Sequence, residues 1–309
     1  MNRSVLFLLF CPLVSQGVLY AADSDVKIIK QVGQLQVKIG AADFATYNYS
    51  SEFRKPFFLP VRAADGTILT RALNDPEDKD HAHHKGVWVA VDEVNEGRHW
   101  KERELIVTRD VTVLCAEGNP AVFAVTNEWQ KAETGEPTVR ETTRISIYAN
   151  RLMTYEIQFV AKHGPVDFRD TKEGLFGYRM VSSMKEKNTG RVVSSDGTKG
   201  TADCWGRSFP WIDYSGTVGG RTYGVTLMDH PDNFRPSRYH VRNYGLFSIN
   251  PFGEHAYSKG KEPEKPVHLN PGENLKLKYA IYFHDGDAVQ GKVKQAYEQF
   301  TAISTVAAQ

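Results

Sequence analysis

Cysteine is scarce in this chain. Three thiols occur in 309 residues, at positions 11, 115 and 204. That number excludes a disulfide framework, and nothing in the spacing demands a bridge between Cys115 and Cys204. Each reads as a small buried hydrophobe. Charge of one sign is also lacking. Lys and Arg number 38 against 37 Asp and Glu, for a net charge of +1, and the two signs are interspersed. No basic patch argues for nucleic acid. After the first twenty residues no apolar run is long enough to span a bilayer. There is no Gly-rich phosphate loop, no H-E-x-x-H and no G-x-S-x-G elbow, so a Ser-His-Asp hydrolase has no support.

The N-terminus carries a secretory pattern. Arg3 supplies the positive charge, Val5 to Val14 an apolar segment, and Ala21-Ala22 small residues at a cleavage point. Residues 1–22 are therefore expected to be a signal peptide, with export to a periplasm or beyond. The remaining stretch, 23–309, is expected to form one β-sandwich domain of roughly 285 residues. Aromatic residues make up 11% of the chain, which suits both a β core and a carbohydrate-binding surface.

Period-two alternation dominates. Leu35, Val37 and Ile39 alternate with polar neighbours, as do Met153, Tyr155, Ile157 and Phe159, and then Leu275, Leu277, Tyr279, Ile281 and Phe283. Each run predicts a strand with one face buried and one wet, as in antiparallel sheets. Turn signals such as Asp65-Gly66, Gly135-Glu136-Pro137 and Gly219-Gly220 separate the runs. One short C-terminal helix is expected, capped by Asp285 or Asp287, with Val289, Val293, Tyr297 and Phe300 as its apolar stripe. Residues 74–84 and 229–265 read as long loops, where binding residues collect.

The densest chemical signal is Asp80-His81-Ala82-His83-His84-Lys85-Gly86-Val87-Trp88. Three of ten histidines fall in four positions, beside a strand-like run. If the strand begins by His83, then His83 and Lys85 share the face of Val87 and Val89, while His84 and Trp88 are neighbours on the other. An indole platform beside a proton donor makes a sugar subsite. His81 and His83, as an H-x-H pair on a strand, are instead candidate ligands for a divalent metal. A third reading is a loop stapled by histidine hydrogen bonds.

Two further constellations accompany it. Glu173 lies in Thr171-Lys172-Glu173-Gly174 and could be a general acid or base or a surface-turn glutamate; Arg179 follows six residues on. The later group comprises Trp211 and Asp213, then His230, Asn233 and Arg235 in a Pro-stiffened loop, then His240 and Arg242. Arginine forks bind carboxylates or paired hydroxyls, and histidine can move a proton. A plain loop with ion pairs to Asp229 and Asp232 is the alternative.

These residues resemble the D-H-x-H-H-R-G-x-W motif of PmoA-like proteins, a domain of unknown function (6807). Asn95, Trp100, the segment 171–174, the segment 211–216, His230-Pro231-Asp232-Asn233, His240 to Gly245 and Asn250-Pro251-Phe252-Gly253 agree with it, over nearly the whole mature chain. Lys85 stands where arginine is usual. The family's label refers to a membrane-embedded methane monooxygenase subunit, which the lack of a spanning helix contradicts. A copper histidine brace would need an N-terminal histidine, and cleavage leaves Ala22 or Asp23. The resemblance implies a β-sandwich of polysaccharide-degrading bacteria and a sugar ligand.

The fold expected is therefore all-β, a large antiparallel sandwich of the galactose-mutarotase-like supersandwich or jelly-roll kind. The function expected is a carbohydrate-active lyase, hydrolase or epimerase, with a glycan-binding module as the alternative. His84, His240 and Glu173 are the candidate catalytic groups. His83, Lys85, Trp88, Arg179, Trp211, Asp213, His230, Asn233, Arg235 and Arg242 are the candidate substrate contacts. His81 to Trp88, Glu173, His230 to Arg235 and His240 to Arg242 are expected around one pocket, with activity following a histidine-like ionisation near neutral pH.

Overall fold

The computed structural model describes residues 25–76 and 78–303. The expected signal segment lies outside the described residues. Among these residues the strands form sheets of nine, eight and four, with antiparallel pairing throughout. Two large sheets of this size exceed an eight-stranded jelly roll and match the supersandwich expectation. The three alternating runs are strands Gln34–Ile39, Leu152–Val160 and Asn274–Asp285. Leu35, Val37 and Ile39 are buried, while Gln34, Gln36 and Lys38 are half-buried.

The two large sheets face each other through aromatic rings. Tyr155 meets Phe176 at 4.4 Å between centroids, Tyr47 meets Phe123 at 5.3 Å, and Tyr178 meets Phe283 at 5.8 Å. Each such side chain contributes about 1.5–3 kcal/mol by leaving water. One apolar cluster runs through both sheets. No helix among the described residues is long and apolar enough to cross a membrane.

One edge of the nine-stranded sheet positions the candidate site. From the edge inward its strands are Arg238–Val241, Leu246–Asn250, Phe176–Arg179, Val87–Val89 and Phe57–Val61. The first two fall inside the segment 229–265, which reads as loop in the sequence. Tyr239, Val241, Phe247 and Ile249 are buried, but Arg238, His240 and Arg242 alternate with them and mask the strand pattern.

Other local expectations also shift. The strand does not begin at His83: residues 81–84 form a turn closed by the His84 amide on the His81 carbonyl at 2.8 Å. Gly86 then takes φ +54°, with its α-carbon so close to Phe58 that a Cβ would sit 1.9 Å from the carbonyl oxygen. Only glycine fits there. The C-terminal helix spans Val293–Ile303, because Lys292 at φ +52° separates it from the preceding turn. Asp287 does cap, but it caps that turn, accepting from the Val289 and Gln290 amides at 3.0 Å. Val289 drops out of the stripe and is exposed. Both described cysteines are free. Cys204 is buried as expected, but Cys115 is only half-buried.

Candidate functional site

Four strands bring four residues into one row. Trp88 pairs with Gly177, Gly177 with Ser248, and Ser248 with His240. Directly opposed residues point to the same face, so these four share the outer face of the sheet. Three strand spacings put Trp88 and His240 roughly 14–15 Å apart along the row. Gly177 is there because the indoles need the space. A Cβ at 177 would lie 2.6 Å from Trp88 Cζ2 and 3.0 Å from Trp100 Cη2. Arg179, two residues on, shares the face.

The loop 78–84 folds over this row. Its backbone is gathered by Arg71, whose buried guanidinium donates to the carbonyls of Asp78, Asp80, His81 and His84 at 2.7–3.2 Å. Arg179 is fully buried and donates to both Asp78 carboxylate oxygens at 3.0 Å and to Asp80. Lys185 donates to Asp78 as well. Burial works against the Asp78 charge, but the hydrogen bonds from Lys185 and Arg179 outweigh it and hold this carboxyl well below the carboxylate range.

On that frame stands a column of four nearly parallel rings. Tyr244 stacks on His81 at 5.3 Å and 6°, His81 on His84 at 4.8 Å and 8°, and His84 on Trp88 at 5.4 Å and 16°. His83 meets the edge of His84 at 4.4 Å, and its carbonyl accepts from Lys55 at 2.6 Å. Arg179 Nη1 lies 3.4 Å from His84 Nδ1, which therefore accepts and leaves the proton on Nε2. That Nε2 is buried and has no partner among the described residues, like Trp88 Nε1, Trp100 Nε1 and Ser248 Oγ. Burial, with His83 and Arg179 alongside, pushes His84 well below the usual imidazole value. Burial and Lys55 bring His83 down to about 4.

The H-x-H chelate, the alternative reading of the sequence, required a strand, and residues 81–84 form a turn instead. His81 and His83 rings meet at 68°, and His81 lies flat between Tyr244 and His84. Among the described residues no group of three or more His, Cys, Asp or Glu side chains is arranged to hold a metal ion.

At the far end of the row, His240 is buried. Its Nδ1 donates to the Lys172 carbonyl at 3.1 Å, which puts the lone pair on Nε2. Tyr257 donates to the same carbonyl at 2.8 Å, and Trp205 and Tyr257 present edges to the imidazole, each at 6.1 Å. Burial, with Arg242 close by, lowers His240 to about 3. The residue after Lys172 is Glu173. Its backbone is fixed by the Asp92 amide on its carbonyl at 2.8 Å and by Thr171 Oγ1. Its half-buried carboxyl is raised, chiefly by burial, and the charges that oppose the rise are Lys172, Lys101 and His81. The same His81 acts on His240, so the ring column, Glu173 and His240 belong to one electrostatic neighbourhood.

Residues 34–298 match the model of a family of unknown function, DUF6807. The chain belongs to that family. No curated protein sequence matches it. Among solved structures, this DUF6807 chain is similar to a galactose 1-epimerase from Lactobacillus acidophilus NCFM, at 12% identity and TM-score 0.45, over 85% of this chain and 98% of that one. It is similar to a beta-arabinopyranosidase at 12% identity and TM-score 0.36, over 84% of this chain. It spans only 40% of that enzyme's length. A GalM/aldose epimerase homologue from C. elegans matches at 10% identity and TM-score 0.40, over 85% of this chain and 99% of that one. Likenesses this distant say nothing of what the DUF6807 chain does.

The remaining candidates of the DUF6807 chain divide. Lys85 binds both oxygens of Glu102 at 2.7–2.8 Å, and Lys55 joins the same carboxylate at 2.7 Å. Arg242 lies over the Tyr244 ring at 5.6 Å, so it borders the column. Trp88 is in the column but 2% exposed, covered by His84 and Trp100, so it is no open sugar platform. Trp211 and Asp213 belong to the eight-stranded sheet. Trp211 packs towards the C-terminal helix, and Asp213 is buried against His284 at 2.8 Å. His230 meets Phe300 of that helix at 5.0 Å. Asn233 ties Asp229 to the backbone of Lys278, and Arg235 donates to the Lys265 carbonyl. None of these five contacts the ring column.

Arg71, Asp78, Lys185, Lys55, Glu102 and Trp205 escaped the reading of the sequence. Their partners lie up to 107 residues away, and no motif connects them. Tyr244 and Trp100 stand inside the quoted family segments, and that was the available signal.

Proposed function

We propose that this protein is an exported carbohydrate-active enzyme working by acid–base chemistry, an elimination, hydrolysis or epimerisation at a sugar. One observation carries the reading. The Lys172 carbonyl fixes His240 Nδ1, and the next residue in the chain, Glu173, carries a carboxyl raised by burial. The result is a neutral imidazole whose Nε2 can accept a proton and a carboxyl suited to giving or taking one at moderate pH. His84, neutral with Nε2–H unpartnered, is a fixed donor. Its depressed basicity, like that of His240, replaces the ordinary imidazole ionisation expected from sequence.

The test is turnover by the mature protein of a panel of glycosides, uronides and free sugars, followed by reducing-end, ultraviolet and NMR assays. His240→Ala is expected to lose roughly 10²-fold or more in turnover while retaining binding. Binding without turnover in the wild type would make the protein a glycan-binding module. Export itself is checked by N-terminal sequencing of the secreted protein. A start near Ala22 or Asp23 is expected, and a mature chain beginning at Met1 would refute it.

A further inference from the structure

Beside His240 the outer face opens into a cleft of about 350 Å³, walled by Trp205, Val241, Arg242, Asn243 and Lys259, with Thr201 at its end. It shares two walls with the candidate site. Trp205 is the indole against His240, and Arg242 lies over Tyr244, the outermost ring of the column. The wall contains two cations and no acid. Lys259 Nζ sits over the Trp205 ring at 5.7 Å.

Most cations around this face are neutralised. Arg238, on the same strand, pairs with Glu254 at 2.7 Å, and Arg179 and Lys185 pair with Asp78. Arg242 and Lys259 have no carboxylate at salt-bridge distance among the described residues. The acid behind the wall, Glu186, is already engaged by the Thr201 amide at 2.8 Å and the Thr201 hydroxyl. Trp205 Nε1 is buried and without a partner among the described residues.

Two cations without a carboxylate partner among the described residues, each over an aromatic ring, with the Trp205 indole between Lys259 and His240, suit a sugar ring that carries a negative charge. The guanidinium fork and the ammonium meet the anion, while the indole takes the apolar ring face. We infer that this cleft binds an acidic sugar, one bearing a carboxylate or sulfate, and so sets the substrate class of the adjoining acid–base site. The inference rests on the carbohydrate reading above and narrows it.

Binding to the mature protein is measured calorimetrically for matched pairs. Glucuronate, galacturonate, mannuronate and guluronate methyl glycosides are compared with their neutral hexosides, and glucose 6-sulfate with glucose. At least one charged member is expected to bind tenfold or more tightly than its neutral partner, and more weakly as salt is raised. A uronate–sulfate difference identifies which anion the cleft takes. The double variant Arg242→Gln, Lys259→Gln changes only surface side chains, so its melting temperature should match the wild type. It is expected to bring the charged and neutral members of each pair to equal affinity, abolishing the anionic preference.

Equal binding of charged and neutral partners, or a preference that survives in the double variant, overturns the inference. Turnover of a neutral sugar in either case leaves the carbohydrate reading standing. Failure of every sugar to bind defeats both.

Discussion

Arg179→Met is expected to lower stability by about 3–5 kcal/mol, a drop in melting temperature on the order of 10 °C. The guanidinium is fully buried and binds Asp78 through both carboxylate oxygens, with Asp80 alongside. Removing it leaves the Asp78 carboxylate short of charge in a site where water does not reach. Lys185 compensates in part, so Arg179→Lys should fall between the two. Asp78 adds a pH signature. A carboxyl whose folded value is depressed stabilises the fold above its unfolded value, and that contribution disappears as pH falls through the folded value. In the wild type the loss comes only in strong acid. In Arg179→Met it should move upward, towards the range of an ordinary aspartate. Thermal melts across an acid series measure both effects. A melting temperature within two or three degrees of wild type at neutral pH would remove the network from any role in holding the loop.

Glu173→Gln is expected to reduce turnover by roughly 10²–10⁴-fold on whatever sugar the wild type processes, with the melting temperature almost unchanged. The carboxyl interacts with its surroundings through longer-range charge alone, so an isosteric amide breaks no ion pair. The wild-type pH profile should show a limb above the ordinary glutamate value, because burial raises this group. If Glu173 is the base, activity rises through that limb; if it is the acid, activity falls through it. Lys172 works in the opposite direction to burial, so Lys172→Met should move the limb to higher pH. His83, at about 4, and His240, at about 3, are already neutral there and add no limb near neutrality. Full activity in Glu173→Gln, or a limb that ignores Lys172→Met, would take the carboxyl out of the chemistry.

The all-β architecture was legible because two-residue alternation survives wherever one sheet face is wet, as in Asn274–Asp285. It failed at Arg238–Val241 and Leu246–Asn250, where the outward positions carry the polar groups of the site. The same trade affected the histidine loop. The proximity of His84 to Trp88 was foreseeable from chain spacing, but the turn at 81–84 was not, since it depends on Arg71 gathering carbonyls from behind. Asp213 and His230 look like site residues because they are polar and surrounded by aromatics. Their partners are His284 and the C-terminal helix, contacts made across 70 or so residues.

The grip of Arg71 is selective within the loop. It holds the main chain at four carbonyls and the carboxylates of Asp78 and Asp80, but donates to no side chain at 81–84. Side chains at 82 and 83 stand outside that grip, whereas residue 81 takes φ +45° and its ring is held between Tyr244 and His84. Substitution at 82 or 83 therefore leaves the anchor intact, while a change at Asp78 or Asp80 reaches it directly.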